Sequence, residues 1–340
     1  MTLSGSNASI KVGQAVSGTS IANLTYVAAI SGTSLNLSQA ASGSSTSTLS
    51  FYTPHGVVVG GGNNQATGSY SFIGGGGDAG TAGNRNVASG DWSAVVGGRN
   101  NTASGNGSFI GGGGVFSGVA FANTSSGAAS VIVGGISNTS SGQASSIVGG
   151  YANNCSGTYS FIGGGGSNIS NATVSANMGG SFGTTRSIVG NHVFSACDAP
   201  IASASGVSQT ALLVLGNETL NATPVVLRSN SAAASTTNQV ILPNNSAYYF
   251  KVEIIANVTG GGNTSGWELK GVIKRGANAA STAIVGSVTS TLIAQDAGAS
   301  TWVVSATADT TNGGLKITVT GQASTTIRWV AKASTTEVTF

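Results

Sequence analysis

Charge is what this sequence has least of. Of 340 residues, 9 are Asp or Glu and 12 are Lys or Arg, where a globular chain usually carries about 25%. Long charged helices and coiled coils are excluded, since they need Glu, Lys, Arg and Leu in bulk. Proline is nearly absent, at 4 residues, and no glycine recurs at every third place, which excludes collagen. Two cysteines, Cys155 and Cys197, cannot make a disulfide framework. No apolar run is long enough to span a bilayer, so membrane insertion is not expected. The chain opens Met1-Thr2-Leu3-Ser4 without the basic and apolar regions of a secretory leader, so synthesis in a cytoplasm is expected. A net charge of +3, with Lys274-Arg275 as the adjacent basic pair, gives no cluster to neutralise phosphates. Nucleic acid is not an expected partner.

What is abundant is glycine, 54 residues, in a chain that is 40% apolar. Disorder needs low hydrophobicity and high net charge, so it fits badly. An all-β, turn-rich protein held by backbone hydrogen bonds and small-residue packing is expected.

An internal repeat decides the architecture. The string Asn-x-small-[Ser/Thr]-Gly-x-x-Ser-x-[Ile/Val] occurs with its glycine at 68, 90, 105, 127, 142 and 157. Four residues earlier stand Asn64, Asn86, Asn101, Asn123, Asn138 and Asn153. Three residues later stand Ser71, Ser93, Ser108, Ser130, Ser145 and Ser160, then Ile73, Val95, Ile110, Ile132, Ile147 and Ile162. Cys155 falls in a column otherwise filled by Ala66, Ala88, Ala103, Ser125 and Ser140, so it reads as a small packed residue. Copies with Phe72, Phe109 and Phe161 carry a four-glycine run and are followed by a longer step than the basic 15 residues. The reading is one coil per 15 residues, with insertions at 78–85, 115–122 and 167–178, ending in a degraded copy from Gly183 to Ile188 where Arg186 replaces the serine. Such a coil cannot fold alone. Stacked coils pair each strand with its copy about 4.8 Å away and join the Ile/Val positions into one core. The asparagine column is expected to take a positive φ and to form an amide ladder. Residues 53–190 are therefore expected to be a β-solenoid (β-roll), left- or right-handed. With one β-branched residue per coil, plus companions such as Val96 and Val148, the core looks too thin for one chain. Three-fold packing, a homotrimer, is expected to complete it.

With these residues the repeat resembles the head repeats of trimeric autotransporter adhesins and repeats of trimeric bacteriophage tail fibres. No heptad stalk or anchor barrel accompanies it, which favours the fibre. Residues 1–52 are short β runs with a turn at 29–33, and the phrase 27–41 resembles small β modules of phage structural proteins. They are expected to cap the solenoid or attach it to other virion proteins. Residues 191–223 read as a neck. Residues 224–340 alternate, with Phe250, Val252, Ile254, Ala256 and Val258 opposite Lys251, Glu253 and Asn257, and Asn312-Gly313 begins a turn. A C-terminal β-sandwich or jelly roll is expected, and the text from 237 onward resembles C-terminal domains of marine phage tail fibres.

The resemblance implies a virion tail or surface appendage that binds a host surface glycan or protein. A structural appendage without a receptor is the alternative. A depolymerising tailspike would need two carboxyl groups about 5–9.5 Å apart. The solenoid holds Asp78 and Asp91 alone, and Glu253 and Glu268 are expected to pair with Lys270 and Lys251 across strands. No catalytic residue, cofactor or metal is expected, since His192 and Asp198 stand isolated and His55 has no nucleophile motif beside it. An enzyme is not expected. Aromatic side chains that could stack on sugars make Tyr248, Tyr249, Trp267 and Trp302 the receptor-binding candidates. Trp329 alternates with Ile327 and reads as core.

Overall fold

The computed structural model describes residues 1–5, 10, 12–22, 25–44, 46, 48–52 and 56–340. The strand readings at 9–12 and 24–27 fall partly outside these, at Ser9, Lys11 and Leu24, and His55 lies outside them altogether. The chain forms two compact units, Met1–Ile136 and Ser137–Phe340. Among the described residues the only helical turns are three short 3-10 segments, the rest of the regular structure being strand.

In the first unit, Val27–Ser31 and Ser34–Leu37 form an antiparallel hairpin. Gly32, at φ 56°, opens its turn, where glycine escapes the clash a side chain would suffer. Ala15–Ser17 pairs with Ser50–Tyr52, and Ile10, Val16, Val27 and Leu35 make a small core.

The repeat then builds a solenoid with two strands per coil. Val57–Val58, Phe72–Ile73, Ala94–Val95, Phe109–Ile110 and Val131–Ile132 stack in parallel. Gln65–Ala66, Val87–Ala88, Thr102–Ala103 and Thr124–Ser125 form the second parallel stack. Ile73, Val95, Ile110 and Ile132 and, from the other stack, Ala88, Ala103 and Ser125 are fully buried. The interior of a coil is thus closed by the residues of one chain. Val96 and Val133, by contrast, are about half exposed. This corrects the expectation that residues such as Val96 and Val148 fill the core: strand alternation turns each away from its inward neighbour, Val95 or Ile147.

The asparagine column forms the expected ladder. Asn64 Oδ1 accepts from the backbone N–H of Asn86 at 3.0 Å, and Asn86 Oδ1 from that of Asn101 at 3.0 Å. Asn101 Nδ2 in turn donates to the carbonyls of Gly97 and Gly113 at 3.0 and 3.1 Å. The positive φ sits elsewhere. It falls on the preceding residue, Asn63 and Asn100 at 59°, so the ladder residues themselves stay regular.

The repeat glycine serves close approach rather than φ. A Cβ on Gly90 would overlap the carbonyl of Gly105, and one on Gly105 the carbonyl of Gly127. The insertion at 78–85 is knotted by Asp78, which accepts from Gly80 N–H at 2.9 Å and Asn84 Nδ2 at 3.1 Å. The one at 115–122 is a hairpin of Val115–Phe116 with Val119–Ala120.

In the second unit, Ser146–Ile147, Phe161–Ile162 and Ala176–Asn177 stack, as do Thr139–Ser140, Asn154–Cys155 and Ile169–Ser170. The expected insertion at 167–178 is therefore a further regular coil of 15 residues, in which Ala172 stands for the repeat glycine and Asn177 for the Ile/Val. Gly183 N–H donates to Asn168 Oδ1 at 2.8 Å, as Asn168 N–H donates to Asn153 Oδ1. Gly183 thus fills an asparagine slot, and Arg186 is not the replaced serine but the residue after Thr185, which takes the buried small-residue position.

The stretch read as a neck holds strands. His192–Ser195 pairs parallel with Ala176–Asn177 and antiparallel with Ser208–Thr219. Ser208–Thr219 runs beside Ile327–Thr339 for its whole length, followed across the sheet by Ser246–Val258, Thr264–Arg275 and Ala283–Gln295. A second sheet joins Val225–Val226, Val240–Ile241 and Val303–Asp309 to Gly314–Thr320. Residues of both, among them Phe250, Ile254, Trp329, Ile317 and Val319, share one apolar cluster.

Candidate functional site

Two residues after each repeat glycine the backbone enters the left-handed region. In the first unit the residues there are Tyr70, Trp92, Gly107 and Ala129, with φ of 58°, 56°, 66° and 54°. In the second they are Ala144, Tyr159 and Val174, at 49°, 54° and 54°. The turn is held locally: Ser71 Oγ donates to the Gly68 carbonyl at 2.8 Å and Ser160 Oγ to that of Gly157 at 2.6 Å. It is also held from coil to coil, because Trp92 N–H donates to the Ser69 carbonyl at 2.7 Å and Gly107 N–H to that of Asp91 at 2.7 Å.

A side chain in this conformation costs about 1–2 kcal/mol, which glycine avoids. The sequence nevertheless places large rings there. Tyr70 and Trp92 are 56% and 63% exposed. Their rings stack across successive coils with centroids 6.2 Å apart and planes 7° from parallel. Beside them Asp91 Oδ1 accepts from the Ser69 N–H at 2.9 Å. Two parallel, stacked rings at an exposed corner, with backbone polar groups and a carboxylate at their edge, leave an outer ring face for a flat ligand with an apolar face and polar rim, such as a sugar. Ala129, Ala144 and Val174 hold the same corner without a ring, so the exposed stack, not the strain, marks out Tyr70 and Trp92. Tyr159 and Tyr151 are comparably exposed in the second unit.

The residues nominated from sequence lie elsewhere. Tyr248, Trp267 and Trp302 are buried at 1%, 7% and 5% exposure, a correction with a simple cause. Strand parity puts Tyr248 on the inward face with Phe250 and Val252, and burial pushes its phenol well above the usual range. Trp267 and Trp302 both pack on Trp329, with ring centroids 5.7 Å away in each case. Tyr249, of opposite parity, is exposed. The aromatic corner was missed because Tyr70, Trp92 and Tyr159 fall in a variable position of the repeat. Their signal was the fixed spacing of two from the repeat glycine.

The carboxylates are engaged. Glu253 and Glu268 face each other across neighbouring strands. Glu268 pairs with Lys251 at 2.9 Å and Lys270 at 3.3 Å, and Glu253 with Lys251 at 3.0 Å and with Lys332. These lysines hold both carboxyls below their ordinary range. Asp78 is held low by hydrogen bonds from Asn84 and Gly80, helped by Arg99 at 3.5 Å. Among the described residues no three His, Cys, Asp or Glu side chains gather as a metal site, and no helix is long and apolar enough to cross a membrane. Cys155 is buried, its Sγ 3.0 Å from Ser160 Oγ, and burial raises its thiol.

No family model and no curated protein matches the chain. Among solved structures it is similar to tailspike protein gp49 of Acinetobacter baumannii bacteriophage Fri1, a capsular polysaccharide depolymerase, at 11% identity and TM-score 0.23, covering 79% of this chain and 47% of that one. It is also similar to the tailspike protein of Acinetobacter baumannii phage AM24, at 8% identity and TM-score 0.22, covering 79% and 49%. For the tailspike of Acinetobacter phage vB_ApiP_P1 the values are 9%, 0.18, 82% and 58%. The chain spans about half the length of the structures it matches. At these scores the likeness does not by itself establish a shared fold or activity. The expectation that the chain is not an enzyme is withdrawn: gp49, among the solved structures it is similar to, is described as a capsular polysaccharide depolymerase.

Proposed function

We propose that this chain is an appendage protein of a bacteriophage virion that adheres to carbohydrate on the host surface. Tyr70 and Trp92 would be the platform that touches the sugar. The observation that carries this reading is the exposed, stacked aromatic pair kept in a left-handed corner where glycine would cost nothing. The resemblance of the repeat and of residues 237–340 to tail-fibre sequences supports the virion setting. In this reading residues 1–52 attach to other virion proteins and the chain acts as a homotrimer. Three copies of one weak site raise the overall affinity through effective concentration. The half-exposed row of Phe72, Val96 and Val133 in the first unit, and of Val148 and Met178 in the second, supplies apolar surface for such a partner.

The test is retention of the full-length protein on host cells and on purified host polysaccharide, with Tyr70→Ala and Trp92→Ala alongside. Retention should fall at least tenfold in either variant. Undiminished retention in both would overturn the reading. Release of reducing ends in the same incubations reports whether bound polysaccharide is also cut. The mass in solution tests the oligomer, a single-chain mass refuting the trimer.

A further inference from the structure

We propose that a second carbohydrate site lies in the Ser137–Phe340 unit, in a cleft at Arg186 and Arg275, and that it binds the carboxylate of an acidic sugar. The choice of a sugar rests on the adhesion reading above; the choice of an anion does not. The cleft has a volume of about 560 Å³ and is lined by Thr184, Arg186, Ser187, Arg275, Thr311 and Asn312, among others, with no carboxylate among its lining residues. That volume suits a small molecule rather than a lone ion.

The two arginines are differently engaged. Arg186 Nε donates to Glu337 Oε2 at 3.2 Å and its Nη2 to the Gly206 carbonyl at 2.8 Å. Glu337 also accepts from Gln209 Nε2 at 2.8 Å and from Thr335 Oγ1 at 2.8 Å, so its charge is well shared. Arg275 has no carboxylate partner among the described residues. Its Nη1 donates to the Leu242 carbonyl at 2.6 Å and more weakly to that of Gly313 at 3.4 Å, while its Nε is buried without a partner. No ion pair forms at Arg275 among the described residues. The remaining nearby acid, Asp309, is turned to Thr311 and Asn312, accepting from their N–H groups at 3.0 and 2.9 Å.

A half-buried guanidinium whose partners are neutral carbonyls keeps most of its charge uncompensated, and burying charge without a counterion is costly. Its position is also enforced. A Cβ on Gly313 would overlap the Arg275 guanidinium, and one on Gly206 that of Arg186. Each arginine is therefore seated against a glycine that leaves room for it. A guanidinium is a strong donor to a carboxylate oxygen, and the hydroxyls of Ser187 and Thr311, which line the same cleft, suit sugar hydroxyls.

Calorimetric titration of the full chain with a glucuronate-containing disaccharide, its carboxyl-reduced glucose counterpart and inorganic phosphate tests this. The acidic disaccharide should bind at least tenfold tighter than the reduced one and weaken with added salt. Arg275→Gln should lose at least tenfold. Gly313→Ala, which displaces the guanidinium but keeps the charge, should weaken it too and provides the result if Arg275→Gln does not fold. Equal binding of the acidic and reduced sugars, or phosphate binding as tightly as the disaccharide, overturns the proposal. If glucuronate fails while Trp92 still governs host retention, the cleft alone is refuted. If glucuronate binds and Trp92 is irrelevant to retention, the corner is refuted and the cleft stands.

Discussion

The left-handed corner can be separated into backbone and ring by substitution at one structural position in three coils. Gly107 sits there with φ 66° and open space where a Cβ would go. Gly107→Ala therefore adds no clash and reports strain alone. The left-handed penalty is about 1–2 kcal/mol, and the stiffer unfolded chain returns about 0.4–1 kcal/mol, so a net loss of about 1 kcal/mol is expected. Ala129→Gly, at φ 54°, should gain a similar amount, against the usual rule that glycine destabilises. Trp92→Gly should then be about 1 kcal/mol more stable than Trp92→Ala, since both lose the ring and differ only in the strained Cβ. Relative to the native chain, relief of strain offsets the lost stacking, worth about 0.5–1.5 kcal/mol. Trp92→Gly is thus expected to leave stability nearly unchanged while losing sugar retention. Amide hydrogen exchange of the strands Ala94–Val95 and Phe109–Ile110 reads local opening directly. If Gly107→Ala and Ala129→Gly both destabilise, the corner is not strained.

Gly105→Ala is a different case, because its Cβ would overlap the Gly127 carbonyl one coil away; a loss on the order of 4 kcal/mol or failure to fold is expected, and native-like protection from exchange would contradict it. Ser108 Oγ is buried without a partner, whereas Ser130 Oγ meets Ser125 Oγ at 2.7 Å. Ala103→Ser should supply the missing partner and gain about 0.5–1.5 kcal/mol, an unchanged or lowered denaturation midpoint counting against it. Burial pushes the Asp309 carboxyl up, but hydrogen bonds from Asn312 and Thr311 outweigh it and hold it below its ordinary 3.8. Its ionised form therefore stabilises the fold above that value, and this contribution disappears as pH falls through the lower folded one. Asp309→Asn should flatten the acid limb of stability below pH 4, and an unaltered limb would refute the assignment.

The elements read correctly from sequence are those in which one residue type recurs for a local reason. Asn64, Asn86 and Asn101 repeat because each amide feeds the next coil, and spacing alone exposes that. Alternation likewise placed Phe250, Val252 and Ile254 inside; carried two residues back, the same parity would have buried Tyr248. The coil at 168–177 was hidden by two substitutions, Ala172 and Asn177, although Asn168 and Ser175 keep the 15-residue step. The coil that follows departs from the 15-residue register, Asn177 pairing with Val193, 16 residues on. The cleft of Arg186 and Arg275 could not be read at all. It joins a loop, a strand end and a hairpin turn that only the folded chain brings together.

A thin coil was expected to need sister chains to close its interior, and that premise fails. Ile110 and Ile132 are fully buried, as are Ala103 and Asn101, so the chain seals its own core with small residues and amides in place of bulk. What remains for a partner is the outer row, and its composition follows a steric rule. Phe72 and Phe109 lay their rings over Gly74 and Gly111, where a Cβ would come within 3.4 and 3.5 Å of the ring. Coils without phenylalanine place Val96 and Val133 at that same position. The row is apolar in either case, so every coil keeps a patch of surface that water covers poorly. A trimer built on this row would hold because it covers apolar area, not because each chain is unfinished. Its dissociation should then leave folded single chains, whereas a shared interior would make dissociation and unfolding one event.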